Sequence, residues 1–184
     1  MSQPGFASLE FQVQRQKNSE WCWAAVSASI EHFFDPSSEL EQCRIVSREL
    51  HQACCGQLDN NKKETCNIPE TLDGPLSKLG WLRKGPNRGP LSFEAIRKEI
   101  DANRPVGVLI RWRSDGELSG GHFITIAGYR VTAAGVPFVF LRDPFFPASH
   151  MTYDSFCDPQ GGYHDGQGVW SFHYLLRSTR KKVS

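Results

Sequence analysis

The sequence contains no long hydrophobic run, no marked excess of charge of either sign and no recognisable leader. A membrane-spanning helix needs roughly 20 apolar residues in succession, and no stretch here reaches that length. The 21 basic and 20 acidic residues nearly cancel, which disfavours electrostatic binding to nucleic acid or to an anionic membrane. Residues 1–5 lack the basic and apolar regions of a secretory signal. The sequence therefore predicts a globular protein that is cytoplasmic, or is secreted or translocated by a leaderless route.

Cysteine is scarce outside one short region, and zinc-knuckle spacing is missing. The six cysteines are Cys22, Cys43, Cys54, Cys55, Cys66 and Cys157. The four within residues 43–66 lack paired C-x₂-C spacing, which disfavours zinc, although His51 could act as an alternative ligand. Two disulfides and plain buried thiols are both compatible with the sequence, and disulfides need an oxidising compartment. We expect Cys157 to stay unpaired, and the sequence predicts no metal ion and no cofactor.

Helical patterns fill the first part of the chain and strand patterns fill the second. Apolar residues at helical spacing follow Cys22 and stop before Pro36. Three further helices are predicted, at 38–50, 69–80 and 92–103, and the stretches 56–67 and 84–90 are predicted to be loops. Strands are predicted at 11–14, 106–112, 122–129, 136–142 and 169–176. Helices followed by strands, without alternation, predict an α+β fold.

Cys22 lies where a polar, turn-prone stretch gives way to the first predicted helix. The start of a helix is electropositive and carries backbone N–H groups that have no partner within the helix. Both features stabilise a thiolate, which is the nucleophilic form of cysteine. Cys22 is therefore the candidate nucleophile of the chain.

His122 opens one predicted strand and Asp143 closes the next. A hairpin turn at residues 132–135 would pair residues whose numbers sum to roughly 265–267, within about two residues, and His122 and Asp143 meet this condition. Directly opposed side chains lie about 4.5–5.5 Å apart at Cβ. Asp143 would then hold one imidazole nitrogen and leave the other free to take a proton from Cys22. Each residue alone is readily explained as a strand-edge or turn residue, so the prediction depends on their combination.

These residues resemble the papain-like cysteine peptidases, and most closely a compact bacterial branch that includes plant-pathogen effector proteases and bacteriocin-leader peptidases. The similar features are Gln16 six residues before Cys22, Trp-Cys-Trp-Ala-Ala at 21–25, Gly-His-Phe at 121–123 and Asp-Pro at 143–144. The resemblance covers about residues 11–175. It implies a single peptidase domain over 1–184, with a helical lobe (about 20–104) and a twisted antiparallel sheet as β lobe (about 105–176). The active site would lie in the cleft between them, and an N-terminal arm (1–19) would cross to the β lobe.

The same resemblance implies a cysteine endopeptidase that acts on a protein or peptide substrate and is a monomer. Cys22 would be the nucleophile, and His122 the general base and then the acid. Asp143 would orient His122, and Gln16 would donate its side-chain amide to the oxyanion together with the N–H of Cys22. Two alternatives stay open: the same thiol site used for acyl transfer, deamidation or non-peptide amide hydrolysis, and a non-catalytic binding module on a peptidase scaffold.

The sequence departs from the larger family at two places near the expected site. The Cys-Gly-Ser/Ala-Cys-Trp signature is replaced by Asn-Ser-Glu-Trp-Cys-Trp at 18–23, so the disulfide that involves its first cysteine is absent. The tryptophan that follows the family's asparagine is also missing, and Phe145 and Phe146 are nearby substitutes. Both departures leave the shape of the pocket, and hence the specificity, open.

Overall fold

The computed structural model describes residues 5–56 and 59–181. Its helices are α1 (Cys22–Phe34), α2 (Gln42–Leu50), α3 (Asn60–Cys66), α4 (Asp73–Lys78), α5 (Phe93–Asp101) and α6 (Tyr153–Phe156). Its strands are β1 (Gly5–Ser8), β2 (Leu82–Arg88), β3 (Val106–Ser114), β4 (Glu117–Val131), β5 (Pro137–Arg142), β6 (Ser149–Thr152) and β7 (Gly168–Leu176). Helices precede most of the sheet, so the predicted α+β class is confirmed. No helix in the described ranges has the length and apolar character needed to cross a membrane.

Helix α1 begins at Cys22 and ends at Phe34, as the apolar spacing and Pro36 predict. It is buried from Cys22 to Glu31, because it lies between α2 on one side and β4 of the sheet on the other. Ala24, Ala25 and Ala28 are fully buried. Small side chains allow neighbouring elements to approach the helix closely, and a helix buried on most of its surface is apolar all round.

Two other helices show how caps decide the boundaries. Ser92 caps α5 as a helix-starting serine should, because its hydroxyl accepts a hydrogen bond from the N–H of Ala95 at 3.3 Å. The predicted loop 56–67 was wrong in its second half, where α3 is found. The side chain of Asp59 accepts from the N–H of Lys62 at 2.8 Å and starts this polar helix.

The sheet has the strand order β2-β7-β3-β4-β5-β6, and β1 pairs with the far end of β4. All the pairings are antiparallel. The predicted loop 84–90 is largely the edge strand β2, whose pairing with β7 is interrupted at Gly85-Pro86. Proline is tolerated at such an edge irregularity because no ladder hydrogen bond is needed there. The N-terminal strand lies at β1 rather than at residues 11–14, so that prediction was wrong.

The sheet is covered on both faces, which gives two hydrophobic clusters. One cluster joins α1, α2 and α4 to one face of the sheet, through residues such as Trp23, Phe123 and Tyr174. The other lies between the opposite face and α5, through residues such as Ile96 and Ile124. Alternating residues of β4 enter the two clusters, as expected for a strand that is buried on both faces. This packing holds the start of α1 close to β4.

The hairpin between β4 and β5 turns at residues 132–136. Gly135 N–H donates to the carbonyl of Thr132 at 2.9 Å, and Val131 pairs with Pro137. The loop is thus one residue longer than predicted, and the pairing ends at Thr125 and Arg142. The pairs nearest this end, Thr125–Arg142 and Ile126–Leu141, have residue numbers that sum to 267, within the predicted range. In this register His122 and Asp143 are offset by two residues rather than directly opposed, and both lie just beyond the same end of the pairing.

Two disulfides connect α2 and α3 to the loop segment that contains Cys54 and Cys55. Cys43 is bonded to Cys55, and Cys54 is bonded to Cys66. Of the three states that the sequence left open, the structure has the disulfides. Cys22 and Cys157 are free thiols. Both bridges lie in the helical part of the chain, directly next to the segments that flank Cys22.

Removing the bridge between Cys43 and Cys55 with a Cys43→Ser/Cys55→Ser double variant should lower the free energy of unfolding by about 3 kcal/mol. A bridge across 12 residues restricts the unfolded chain, and that loss of entropy corresponds to about this value. Denaturant titration measures the change, and Cys157→Ser serves as the control because Cys157 is unpaired. A stability that strong reductant leaves unchanged in the wild type would contradict the prediction.

Candidate active site

The structure brings the four candidate residues together. Cys22, His122 and Gln16 line one cleft of about 840 Å³ between the helices and the sheet. Asp143 lies behind His122, hydrogen-bonded to it. The helical wall of the cleft also contains Trp23, Pro69, Glu70 and Thr71, and the sheet wall contains Leu109, Trp112, Phe123, Phe145, Phe146 and Tyr174. Within residues 5–56 and 59–181 there is no cluster of three or more metal-binding side chains.

Cys22 is the first residue of α1, and only 7% of it is exposed. Its backbone N–H is one of the groups at a helix start that have no partner within the helix. Its thiol lies beside His122, close enough for its hydrogen-bonding and charge interactions to help raise the pKa of the imidazole. The sulfur therefore lies between the positive end of a helix and an imidazole ring.

Asp143 holds the other side of the His122 ring. His122 Nε2 lies 2.8 Å from Asp143 Oδ1, which leaves Nδ1 for Cys22. The same carboxylate oxygen accepts from the backbone N–H groups of Phe145 at 2.7 Å and Phe146 at 2.9 Å. Its second oxygen accepts from the hydroxyl of Tyr163 at 2.6 Å. These bonds fix the carboxylate, and the carboxylate in turn fixes the orientation of the imidazole.

The electrostatics favour a charged histidine. Burial lowers the pKa of His122, but its hydrogen bonds and charge interactions with Asp143 and Cys22 outweigh burial and raise the pKa to about 9. Burial also raises the pKa of Asp143, yet the hydrogen bond and charge of His122, with Tyr163, hold it below its usual value. Burial and then the charge of Asp143 raise the pKa of Tyr163, so its hydroxyl keeps the proton that it donates. At neutral pH, His122 is therefore an imidazolium beside a carboxylate.

Two aromatic rings enclose His122. Trp112 stacks on the imidazole, with centroids 6.0 Å apart and an interplanar angle of 24°. Phe146 meets it edge-on at 6.0 Å. Phe146, but not Phe145, thus packs against the histidine, where the larger family has a tryptophan after its asparagine. Burial between two apolar rings keeps water away from the bond to Asp143 and strengthens it.

Gln16 joins the cleft through a short polar loop. Its backbone N–H donates to the carbonyl of Pro144 at 2.9 Å, which places it beside the segment that follows Asp143. Its side-chain Nε2 donates to the carbonyls of Asn18 at 3.0 Å and Ser19 at 2.7 Å. Its Oε1 is buried and has no hydrogen-bond partner among the described residues. In this state, both hydrogens of the amide are bound within the loop that leads to Cys22.

Sequence reasoning missed Tyr163 and Trp112. Tyr163 lies in a glycine-rich loop far along the chain from His122, and no local pattern relates it to Asp143. Trp112 was recognised as a strand residue, but its contact depends on the irregularity that interrupts the pairing of β3 with β4 between Ile110 and Trp112. Neither feature has a signal in a single sequence.

Known proteins similar to this chain include one protein family and two solved structures. The family model described as "Papain-like cysteine protease AvrRpt2" matches residues 6–160. Among solved structures, bromelain from Ananas comosus in complex with the E64 inhibitor is 13% identical with a TM-score of 0.43, covering 89% of this chain and 92% of that one. The proform of Amb a 11, a cysteine protease and ragweed pollen allergen, is 16% identical with a TM-score of 0.42. The match covers 98% of this chain and 62% of the Amb a 11 chain. The comparison with curated proteins found no match.

The family assignment depends on the family match, because the two structural likenesses are weak. That match extends over most of the 184 residues and includes Cys22, His122 and Asp143. This chain therefore belongs to the AvrRpt2 family of papain-like cysteine proteases.

Proposed function

We propose that this chain is a cysteine endopeptidase with a Cys22–His122–Asp143 triad and an oxyanion hole formed by Gln16 and the N–H of Cys22. The observation that carries the proposal is the placement of His122 between Asp143, at 2.8 Å, and Cys22 in one cleft. The chain acts as a single domain over residues 1–184, with its helical lobe at about 20–104 and its β lobe at about 105–176. The N-terminal arm was predicted at residues 1–19, of which 1–4 lie outside the described residues; residues 5–19 extend from one lobe to the other.

The first half of the reaction is acylation. The Cys22 thiolate attacks the carbonyl carbon of a peptide bond, and a tetrahedral intermediate forms with a negative charge on the carbonyl oxygen. As this intermediate collapses, the C–N bond breaks and His122 Nδ1 gives its proton to the leaving amine. The products are a free amine, a neutral His122 and a thioester between Cys22 and the acyl half of the substrate.

The second half is hydrolysis of that thioester. Neutral His122 takes a proton from water, and the hydroxide attacks the thioester carbonyl. When the C–S bond breaks, the carboxylic acid leaves and the thiolate–imidazolium pair is restored. Asp143 stabilises the imidazolium in both halves and holds the tautomer that keeps Nδ1 towards the sulfur.

The oxyanion forms next to two donors. One is the N–H of Cys22 at the start of α1, which has no partner within the helix. The other is Gln16 Nε2, which exchanges one of its two bonds to the carbonyls of Asn18 and Ser19 for the oxyanion. Because this charge exists only in the transition state and the intermediate, the two donors increase kcat rather than substrate binding.

A peptide-library digestion tests the endopeptidase assignment. The wild-type chain should generate new termini within the peptides, detected by mass spectrometry, and Cys22→Ala should generate none. Covalent labelling with a thiol-directed peptidyl electrophile should modify Cys22 before Cys157. Products that carry a second amine instead of a free carboxylate would show acyl transfer, and deamidated peptides without cleavage would show a deamidase. Either result, or a chain that neither cleaves peptides nor labels at Cys22, would overturn the proposal.

The pH dependence of kcat/KM should have an alkaline limb near pH 9. The pKa of His122 is raised from 6.5 to about 9, so the imidazolium is present below that pH and is lost as pH rises through it. Asp143→Asn should move this limb down by about 1–3 pH units, because it removes the adjacent negative charge. The loss of kcat should be milder than for Cys22→Ala, since an amide can also orient imidazole.

Rate measurements across pH 5–10 on the wild type and Asp143→Asn test this expectation. Asp154→Asn is the matched control, because Asp154 is an exposed aspartate that does not contribute to the raised pKa of His122. An alkaline limb that stays in place in Asp143→Asn would contradict the assignment of Asp143.

A further inference from the structure

A buried amide lies directly behind the segment that contains Gln16. Gln42 is the first residue of α2 and is 1% exposed. Its Nε2 donates to the carbonyl of Arg15 at 2.9 Å, and its Oε1 accepts from the N–H of Lys17 at 3.0 Å. The side chain therefore bonds to the main chain on both sides of Gln16.

This arrangement has a defined direction. Gln42 Nε2 also donates to Gln14 Oε1 at 3.1 Å, so both of its hydrogens and its oxygen are used. A reversed amide would place its NH₂ against the N–H of Lys17 and its oxygen against the carbonyl of Arg15, and both contacts would be repulsive. A buried polar group with every partner in place specifies one local conformation. The main chain around Gln16 is thus held in one orientation.

Hydrogen bonds of the neighbouring residues show how the Gln42 side chain fits into the anchoring of the Gln16 segment. Gln14 N–H donates to Ser29 Oγ of α1 at 2.8 Å, so the segment before Gln16 is anchored to the helical lobe. Gln16 itself bonds through its N–H to Pro144 in the β lobe. Gln42 supplies the bonds at Arg15 and Lys17, immediately before and after Gln16, and the disulfide at Cys43 fixes the residue next to Gln42.

We infer that Gln42 is a positioning residue for catalysis, which holds Gln16 where its side chain reaches the oxyanion. This inference rests on the proposed function, since it requires Gln16 to be an oxyanion donor. Gln42 does not line the cleft and touches no substrate, so its effect passes through residues 15–17. Losing Gln42 should therefore lower kcat and leave KM nearly unchanged, because the oxyanion contact exists only after attack.

A double-mutant cycle tests this inference. Gln42→Met keeps the length of the side chain and removes its hydrogen bonds. Gln16→Ala should lower kcat by about 10²–10³-fold. Gln42→Met should lower it by a large part of that factor in the wild-type background, and by less than about twofold in the Gln16→Ala background. Rates are normalised to the number of Cys22 thiols that a small alkylating agent titrates, so that unfolded molecules are not counted.

Ser29→Ala is the matched control. It removes another buried hydrogen bond to the same arm, at Gln14 rather than beside Gln16, and it should leave kcat within about twofold of the wild type. If Gln42→Met is recovered in too low a yield, Gln42→Asn replaces it. Its amide is one methylene too short to bond to both Arg15 and Lys17, and it should give an intermediate loss of kcat.

The outcomes distinguish the positioning role of Gln42 from the oxyanion role of Gln16. Equal losses from Gln42→Met in both backgrounds, or a normal kcat in Gln42→Met when Gln16→Ala is slow, would overturn the positioning role alone. A normal kcat in Gln16→Ala would overturn the oxyanion role of Gln16, and the positioning role with it. If Gln16→Ala is slow, and Gln42→Met lowers kcat in the wild-type background but not in the Gln16→Ala background, the positioning role and the oxyanion role are both supported.

Discussion

Cys22→Ala is expected to lower kcat by roughly 10⁶-fold, which is the loss seen when the nucleophile of a catalytic triad is removed. Without the sulfur no thioester can form, and the oxyanion donors have no covalent intermediate to stabilise. The fold should survive, because alanine has the highest helix propensity and the substitution removes only one sulfur atom, from a residue that lines the cleft as well as the core. Steady-state kinetics on a cleavable peptide measure the loss of kcat, and a thermal melt of the same sample measures whether the fold is retained.

The Cys22→Ala substitution should also lower the pKa of His122. The hydrogen bond and charge of Cys22 help to raise the pKa of His122, so in Cys22→Ala the pKa should fall below about 9. Titration of the histidine ring by NMR measures this shift. Cys157→Ala is the control, since Cys157 is the other free thiol. Its kcat and its His122 titration should match those of the wild type. Full activity in Cys22→Ala on every cleavable substrate would refute the assignment of the nucleophile.

The parts of the fold that follow from local chemistry could be read from the sequence. Helix α1 is marked by apolar periodicity and by Pro36, and its start at Cys22 follows from the change in composition there. Helix α5 is marked by the cap at Ser92. The proximity of His122 and Asp143 follows from a short hairpin whose register near these residues lies within the predicted range, although the two residues are offset by two positions rather than directly opposed.

The parts that were missed depend on contacts between distant segments. Strand β2 contains Gly85 and Pro86, and it is a strand only because β7 offers it an edge to pair with. Tyr163 reaches Asp143 across the fold, and Gln42 reaches residues 15 and 17 from another helix. Cysteine spacing disfavoured zinc but could not separate disulfides from free thiols, because pairing depends on the distance between Cα atoms. A single sequence does not record that distance.

His122→Ala should reduce kcat about as far as Cys22→Ala does, by up to roughly 10⁶-fold, because members of a triad act as a unit. In the proposed mechanism, His122 supplies the counter-charge for the thiolate, the proton for the leaving amine and the base for hydrolysis, so no step should proceed at its normal rate without it. For the same reason, adding Cys22→Ala to His122→Ala should cause almost no further loss. Alkylation of Cys22 by a small electrophile at pH 7 should also slow, since the imidazolium that stabilises the thiolate is gone.

His150→Ala is the control for this second substitution, because His150 is an exposed histidine of β6 that packs against Phe138 and Phe140 and does not line the cleft. Its kcat and its alkylation rate should remain within about twofold of the wild type. Comparing kcat with the alkylation rate in His122→Ala shows whether His122 is needed to stabilise the Cys22 thiolate. If His122→Ala lost turnover but alkylated at the wild-type rate, the helix start alone would be sufficient to hold the thiolate, and His122 would act only as a proton carrier. If both fall together, the reactive form of Cys22 depends on the ion pair with His122, and therefore on Asp143 and Tyr163 behind it.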